Sequence, residues 1–121
     1  MNDPFNQELP HKDEAERTVL GAMLQSRAAI DEARQKITEN DFYQPNNKTI
    51  YRLICDLSDQ HGDVDTTLLC MTLAERKMLD HVGGLNYVGK LIDYAPTTSN
   101  VGIYADMVKD AAKRRDIIAI G

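Results

Sequence analysis

The stretch PNNKTIYRLICDLSDQHG at residues 45–62 decides the fold class. Within it Ile50, Leu53, Ile54 and Leu57 recur at i, i+3, i+4 and i+7, which puts four apolar side chains on one face of a helix of ~3.6 residues per turn. Pro45 suits the first turn, where a missing N–H leaves nothing unpaired, and Gly62 supplies the C-terminal stop. Just upstream, Phe42 and Tyr43 read as an anchor that pins the loop before this helix to the core.

The same period extends in both directions. Upstream, Ala15, Val19, Ala22 and Met23 mark a first helix from about Asp13 to Gln25, and Asp13 with Glu16 has capping-box spacing with Asp13 in the cap role. Gly21 interrupts that helix at a cost of about 1 kcal/mol relative to alanine, so either another backbone passes close to it or the glycine is simply tolerated. A second helix from about Arg27 to Ile37 carries Ala29, Ile30, Ala33 and Ile37 on one stripe and ends in the polar run Thr38 to Asp41. Downstream, Asp65 or Thr66 caps a fourth helix with Leu69, Leu73, Met78 and Leu79 facing inward, and Gly83-Gly84 breaks it. Leu85, Val88, Leu91 and Ile92 open a fifth helix that Pro96 closes; Asn100 caps the last, with Tyr104, Val108, Ala111 and Ile118 on one side.

No sustained alternation of period two competes with this pattern, so the sequence predicts an all-α fold, a compact bundle of about six helices. Residues 1–10 are expected to form a flexible polar tail bounded by Pro10, and residues 11–121 the single domain. Ala112 to Ile120 contains no stop signal before Gly121, so the last helix is expected to be truncated and to run on into further protein.

Composition narrows the function classes. At 42% apolar and 27% charged residues the chain resembles ordinary folded domains, and no apolar run approaches the ~18 residues needed to span a bilayer. Met1 to Leu9 lacks the basic start and hydrophobic centre of a secretory signal, so a cytoplasmic protein with no membrane partner is expected. The net charge of −5 disfavours DNA binding by charge alone, and the acids concentrate in residues 1–60. Cys55 and Cys70 lack a neighbouring thiol at metal-ligand spacing and read as reduced, at least partly buried thiols.

Catalytic chemistry finds no support. A phosphate-cradling loop needs clustered glycines ahead of Lys and Ser or Thr, and the glycines at 21, 62, 83, 84, 89, 102 and 121 make no such pattern. His11, His61 and His81 stand at helix ends or loops without metal-ligand spacing, and Asp13, Glu14 and Glu16 suit a helix N-terminus better than an acid–base pair. No catalytic, cofactor or metal residue is therefore expected. Lys113, Arg114 and Arg115 form the one basic run, which fits a solvated helix end. That run and the Gly62 to Asp65 turn also admit a different class, a stand-alone helical DNA-binding regulator, although Asp63 and Asp65 would oppose phosphate. Tyr87, Lys90 and Tyr94 lie off the apolar stripe of the fifth helix. Aromatics beside a charge suit partner binding, and packing within the chain is the alternative.

Taken in order, the motifs resemble the N-terminal domain of DnaB-type replicative helicases over nearly the whole chain after the tail. The resemblance is carried by Pro10-His11 with Glu14-Ala15-Glu16 and Val19-Leu20-Gly21, by Asn40-Asp41-Phe42-Tyr43 with Pro45 and Ile50, and by Leu79 with Val82-Gly83-Gly84, Tyr87 and Leu91. Pro96-Thr97, Asn100, Tyr104-Ala105 and Val108 complete it. Asn47 departs from the family, which commonly has a histidine two residues beyond the proline, so no role of that imidazole carries over. The polar Asn46-Asn47-Lys48-Thr49 run points to a divergent bacterial or phage member. The resemblance implies a collar domain that pairs with copies of itself within a hexamer and receives the C-terminal helicase-binding domain of primase and, in some systems, a helicase loader. It also implies a linker and a RecA-like motor beyond Gly121; ATP and magnesium belong to that missing motor, and DNA is met only through the full-length hexamer.

Overall fold

A computed structural model describes residues 10–120, so residues 1–9 of the tail expected over 1–10 lie outside the described residues. Among the described residues the elements are α1 (Asp13–Met23), α2 (Arg27–Lys36), α3 (Pro45–His61), α4 (Thr66–Glu75), α5 (Gly84–Gly89) and α6 (Val101–Ile120). Short 3-10 turns fall at Glu39–Asp41, Asp80–Val82 and Leu91–Tyr94, and no strand is present. None of these helices is long and apolar enough to cross a membrane.

The bundle is built around α1, which packs against α2, α3, α6 and the Leu91–Tyr94 turn. Its inner face of Val19, Leu20 and Met23 is fully buried and meets Ile30, Ile50, Ile54 and Leu91. Each such aliphatic side chain contributes roughly 2–5 kcal/mol against truncation to alanine. Gly21 lies where α1 crosses the Leu91–Tyr94 turn, and a Cβ there would stand 2.1 Å from the Leu91 carbonyl oxygen. The interrupting glycine thus serves close approach of a second backbone.

The start of α1 differs from the capping box read in the sequence. Lys12 occupies the cap position and Asp13 is the first helical residue. Asp13 instead accepts from the Gln44 side chain at 2.9 Å and lies 2.7 Å from His11 Nδ1. Side-chain caps do appear at Ser26, which accepts from the Ala29 amide, and at Asp65, which accepts from the Leu68 amide.

Two further expectations change. The continuous fifth helix is broken after Gly89: Val88 and Leu91 are buried, whereas Leu85 and Ile92 are exposed. Gln25 holds this break, donating from Nε2 to the Ala95 carbonyl at 2.8 Å and reaching the Ile92 carbonyl at 3.4 Å, so the chain tightens into a 3-10 turn under Gly21. On α6 the inward row is Val101, Ala105, Val108, Ala111 and Ala112, with Tyr104 half-buried beside it, and Ile118 is exposed. Arg115 joins α6 to the rest of the bundle, donating to the Pro10 and Asp41 carbonyls.

Candidate functional site

The sequence motifs converge on one buried polar node. Glu16 falls at the same helical spacing as Val19, Leu20 and Met23 and is 1% exposed, so its carboxylate points into the bundle. There Oε2 accepts from the Tyr43 amide at 2.7 Å, and Oε1 accepts from the Gln44 amide at 3.3 Å and from Asn47 Nδ2 at 3.0 Å. These donors surround the first turn of α3, where the exposed amides and the helix dipole favour a negative charge. Asn47, fully buried, passes the chain onward: its Oδ1 accepts from the Tyr87 hydroxyl. The neighbouring Asn46 donates to the Val82 carbonyl at 3.1 Å. Glu16 thus ties α1 to the segment before α3, and the two asparagines tie α3 to the Gly83-Gly84 region.

Tyr87 fits because Gly83 lies beneath it at φ +113°, where a Cβ would be 3.0 Å from the tyrosine ring. Burial pushes the Tyr87 phenol up from its ordinary value, opposed by Arg17, Asn46 and Asn47. The Arg17 guanidinium lies 4.9 Å from the Tyr94 ring centroid, and Arg17 Nε is buried without a hydrogen-bond acceptor.

A second cluster fastens α6. Tyr43 stacks on His11 with ring centroids 4.4 Å apart, and the Arg115 guanidinium lies 5.3 Å from the Tyr43 centroid. Arg115 donates to the Pro10 carbonyl at 2.9 Å and to the Asp41 carbonyl at 2.7 Å, while Lys109 reaches the Asp41 carboxylate at 3.2 Å. Asp41 also accepts from the Thr38 amide at 2.8 Å. Phe42 enters the core against Tyr51, whose hydroxyl donates to the Ile37 carbonyl.

Of the signature residues, Glu16, Asp41, Tyr43 and Gly83 therefore meet in these two clusters, Phe42 is core and Gly21 is the crossing point. Glu14 is exposed, with its carbonyl accepting from the Thr18 hydroxyl; Gly84 has φ +83°; the Asn100 carbonyl accepts from the Ile103 amide at 3.1 Å. Of the three residues read as partner-binding, Tyr87 is half-buried in the node, Tyr94 is 41% exposed over Arg17, and Lys90 is exposed between them in sequence. The basic run is divided, since Arg115 turns inward and Arg114 pairs with Asp110 at 3.2 Å. Among the described residues no group of His, Cys, Asp and Glu has the arrangement of a metal site. A shallow cavity of about 320 Å³ is lined by Arg34, Tyr51, Arg52 and Cys55 among others, with its arginines already facing Asp59 and Glu39.

Sequence reasoning assigned no role to Arg17, Gln25 or Asn47, and it read Arg115 as part of a solvated basic run, whereas Arg115 donates to two backbone carbonyls. For Asn47 the signal was present, because it precedes Ile50, Tyr51 and Ile54 at i+3, i+4 and i+7. No such spacing marks Arg115 or Gln25, whose partners are backbone carbonyls distant in sequence.

Comparison with known proteins agrees with this architecture. The family model described as DnaB-like helicase N terminal domain matches residues 8–110. The replicative DNA helicase DnaB of Treponema pallidum (strain Nichols) is 37% identical over 111 residues, 92% of this chain and 25% of that protein. The replicative DNA helicase DnaB of Mycobacterium leprae (strain TN) is 32% identical over 120 residues, 99% of this chain and 20% of that protein. The chain thus spans a quarter or less of the length of these relatives. The crystal structure of the N-terminal domain of DnaB helicase from Mycobacterium tuberculosis superposes with a TM-score of 0.88 at 33% identity, covering 93% of this chain and 81% of that one. By profile, sequence and fold together, the chain belongs to the family of DnaB-like helicase N-terminal domains.

Proposed function

We propose that this domain is the collar of a replicative hexameric DNA helicase, where it pairs with copies of itself and presents a surface that recruits the C-terminal helicase-binding domain of primase and, in some systems, a helicase loader. ATP and magnesium are the business of a motor domain, DNA is engaged through the assembled hexamer, and the setting is the bacterial cytoplasm. Family membership supports the placement in a helicase. One structural observation supports the pairing: the outer face of α6 carries Ile103 at 56%, Met107 at 43% and Ile117 at 70% exposure. At spacings of four and ten residues these fall along one side of the helix, with the Asp110–Arg114 ion pair between Met107 and Ile117. An apolar row of that kind on an otherwise acidic surface suits association between like copies, since a twofold contact needs a self-complementary patch.

Sedimentation velocity over a concentration series tests the pairing. The chain is expected to associate with rising concentration and Met107→Asp to shift it toward monomer with an unchanged helical circular dichroism spectrum; a concentration-independent monomer for the unsubstituted chain refutes it. Titration with the cognate primase domain tests recruitment, and absence of binding to the chain counts against it. The reading as a DNA-binding regulator is less favoured because two of the three residues in the basic run are engaged within the chain.

A further inference from the structure

We propose that Arg17, placed beside Tyr87 and under the Tyr94 ring, is a docking point for an acidic side chain of a protein partner. Five cations among the described residues pair with carboxylates: Arg34 with Asp59, Lys36 with Asp106, Arg52 with Glu39, Lys109 with Asp41 and Arg114 with Asp110. Arg115 is satisfied by two carbonyls. Arg17 differs. It is half-buried, lies within 4 Å of no carboxylate among the described residues, and keeps its Nε buried without an acceptor. Its neighbour Glu16 does not serve, because both carboxylate oxygens accept from donors around α3.

A partly desolvated guanidinium without an anion is costly, and the Tyr94 face 4.9 Å away offsets only part of that cost. The side chain is held between two aromatic neighbours, with Nε buried and the Tyr87 hydroxyl within its reach, so the terminal Nη groups are the donors a partner's carboxylate would meet. Tyr94 is 41% exposed and forms an accessible aromatic wall; Lys90 is exposed on the same short segment, and Asp93, also exposed, forms no ion pair with Arg17. Arginine flanked by tyrosines is the composition that anchors protein interfaces. The net charge of −5 disfavours a polyphosphate chain over a carboxylate presented singly. The site stands on this geometry; its use by the recruited replication partner rests on the function proposed above.

The test is an NMR titration of the chain with a glycine-flanked peptide that carries a single glutamate, following the Arg17 Nε–Hε signal and the Tyr94 ring. Saturable shifts centred on Arg17, Tyr87, Lys90 and Tyr94 are expected. They should disappear in Arg17→Gln and weaken about tenfold in Arg17→Lys, which keeps the charge and loses the fork. No shift, or shifts centred on Lys113 and Arg114, overturns the proposal; so does displacement of the peptide by single-stranded oligodeoxythymidine, which would make the site one for nucleic acid. Melting temperatures of both variants separate a folding defect from a binding defect. Cognate primase domain forms the second arm. Tenfold weaker binding and a shallower salt dependence in Arg17→Gln support the assignment to recruitment, whereas unchanged binding overturns it. Peptide binding without primase binding leaves the site standing and removes the recruitment reading instead.

Discussion

Replacing Glu16 with alanine removes the acceptor that joins α1 to the first turn of α3. Three donors lose their partner at once: the Tyr43 amide, the Gln44 amide and Asn47 Nδ2. Leaving a buried donor unsatisfied costs about 1–3 kcal/mol, and water entering the vacated volume recovers part of it, so about 4 kcal/mol in total is a central figure. For a domain whose whole stability is of order 5–15 kcal/mol, that is a large fraction. At roughly 4 °C per kcal/mol, the melting temperature should fall by about 15 °C. Glu16→Gln is milder: its carbonyl oxygen keeps one of the two acceptor positions, while its amide nitrogen faces the Tyr43 amide or Asn47 Nδ2 and leaves that donor unpaired, for about 2 kcal/mol. Guanidinium chloride unfolding followed by circular dichroism measures both, and a common m-value establishes that the loss lies in stability. A double-mutant cycle with Asn47→Ala should show coupling of about 1 kcal/mol or more, because the two side chains touch. A loss below about 1 kcal/mol for Glu16→Ala with native circular dichroism would refute the account of the node.

Other perturbations follow from the packing. Gly21→Ala drives a methyl into the Leu91 carbonyl and should destabilise by about 3 kcal/mol or prevent folding, as thermal unfolding would report; near-native stability would mean that the two backbones are not in contact. The Arg34 hydrogen bond holds the Asp59 carboxyl below its usual range, so its folded value lies under its unfolded one. Its contribution is then present above the unfolded value near ~3.9 and lost as pH falls through the folded value, and an NMR titration should return Asp59 to the ordinary value in Arg34→Gln. Burial raises both thiols, but Cys55 is buried and Cys70 only half-buried, so a maleimide reagent should label Cys70 first; preferential labelling of Cys55 would contradict its place beside Tyr51.

The fold was legible where periodicity and punctuation agree. In α3 the apolar spacing, Pro45 and Gly62 all point one way, and the helix runs Pro45–His61. At residues 85–92 the apolar spacing suggests one helix, yet the observed break depends on Gln25 capturing carbonyls about seventy residues away, a contact no local pattern encodes. Asp13 misled for a related reason: its spacing to Glu16 fits a capping box, but both carboxylates are drawn to the segment before α3 by longer-range donors. Glu16 and Asn47 carried a usable signal, since a polar residue in register with a core stripe must be paired once buried. Arg17 carried none, because its environment is made by Tyr87 and Tyr94 from a different part of the chain.

The motif residues are consumed by folding, and that bears on where function lies. Glu16, Phe42, Tyr43, Asp41 and Gly83 all serve contacts inside the bundle, so substituting any of them alters the scaffold before it alters a surface. The role proposed above is one of presentation, and presentation is set by rigid supports beneath exposed groups. The node supplies such a support: Tyr87 is fixed by Asn47 and Gly83, and Arg17 follows Glu16 on α1. Variants at the node should therefore lose stability and binding together, whereas Arg17→Gln and Met107→Asp should lose only the contact each side chain makes. Separating these two patterns in one set of purified chains distinguishes residues that build the domain from residues through which it meets its partners.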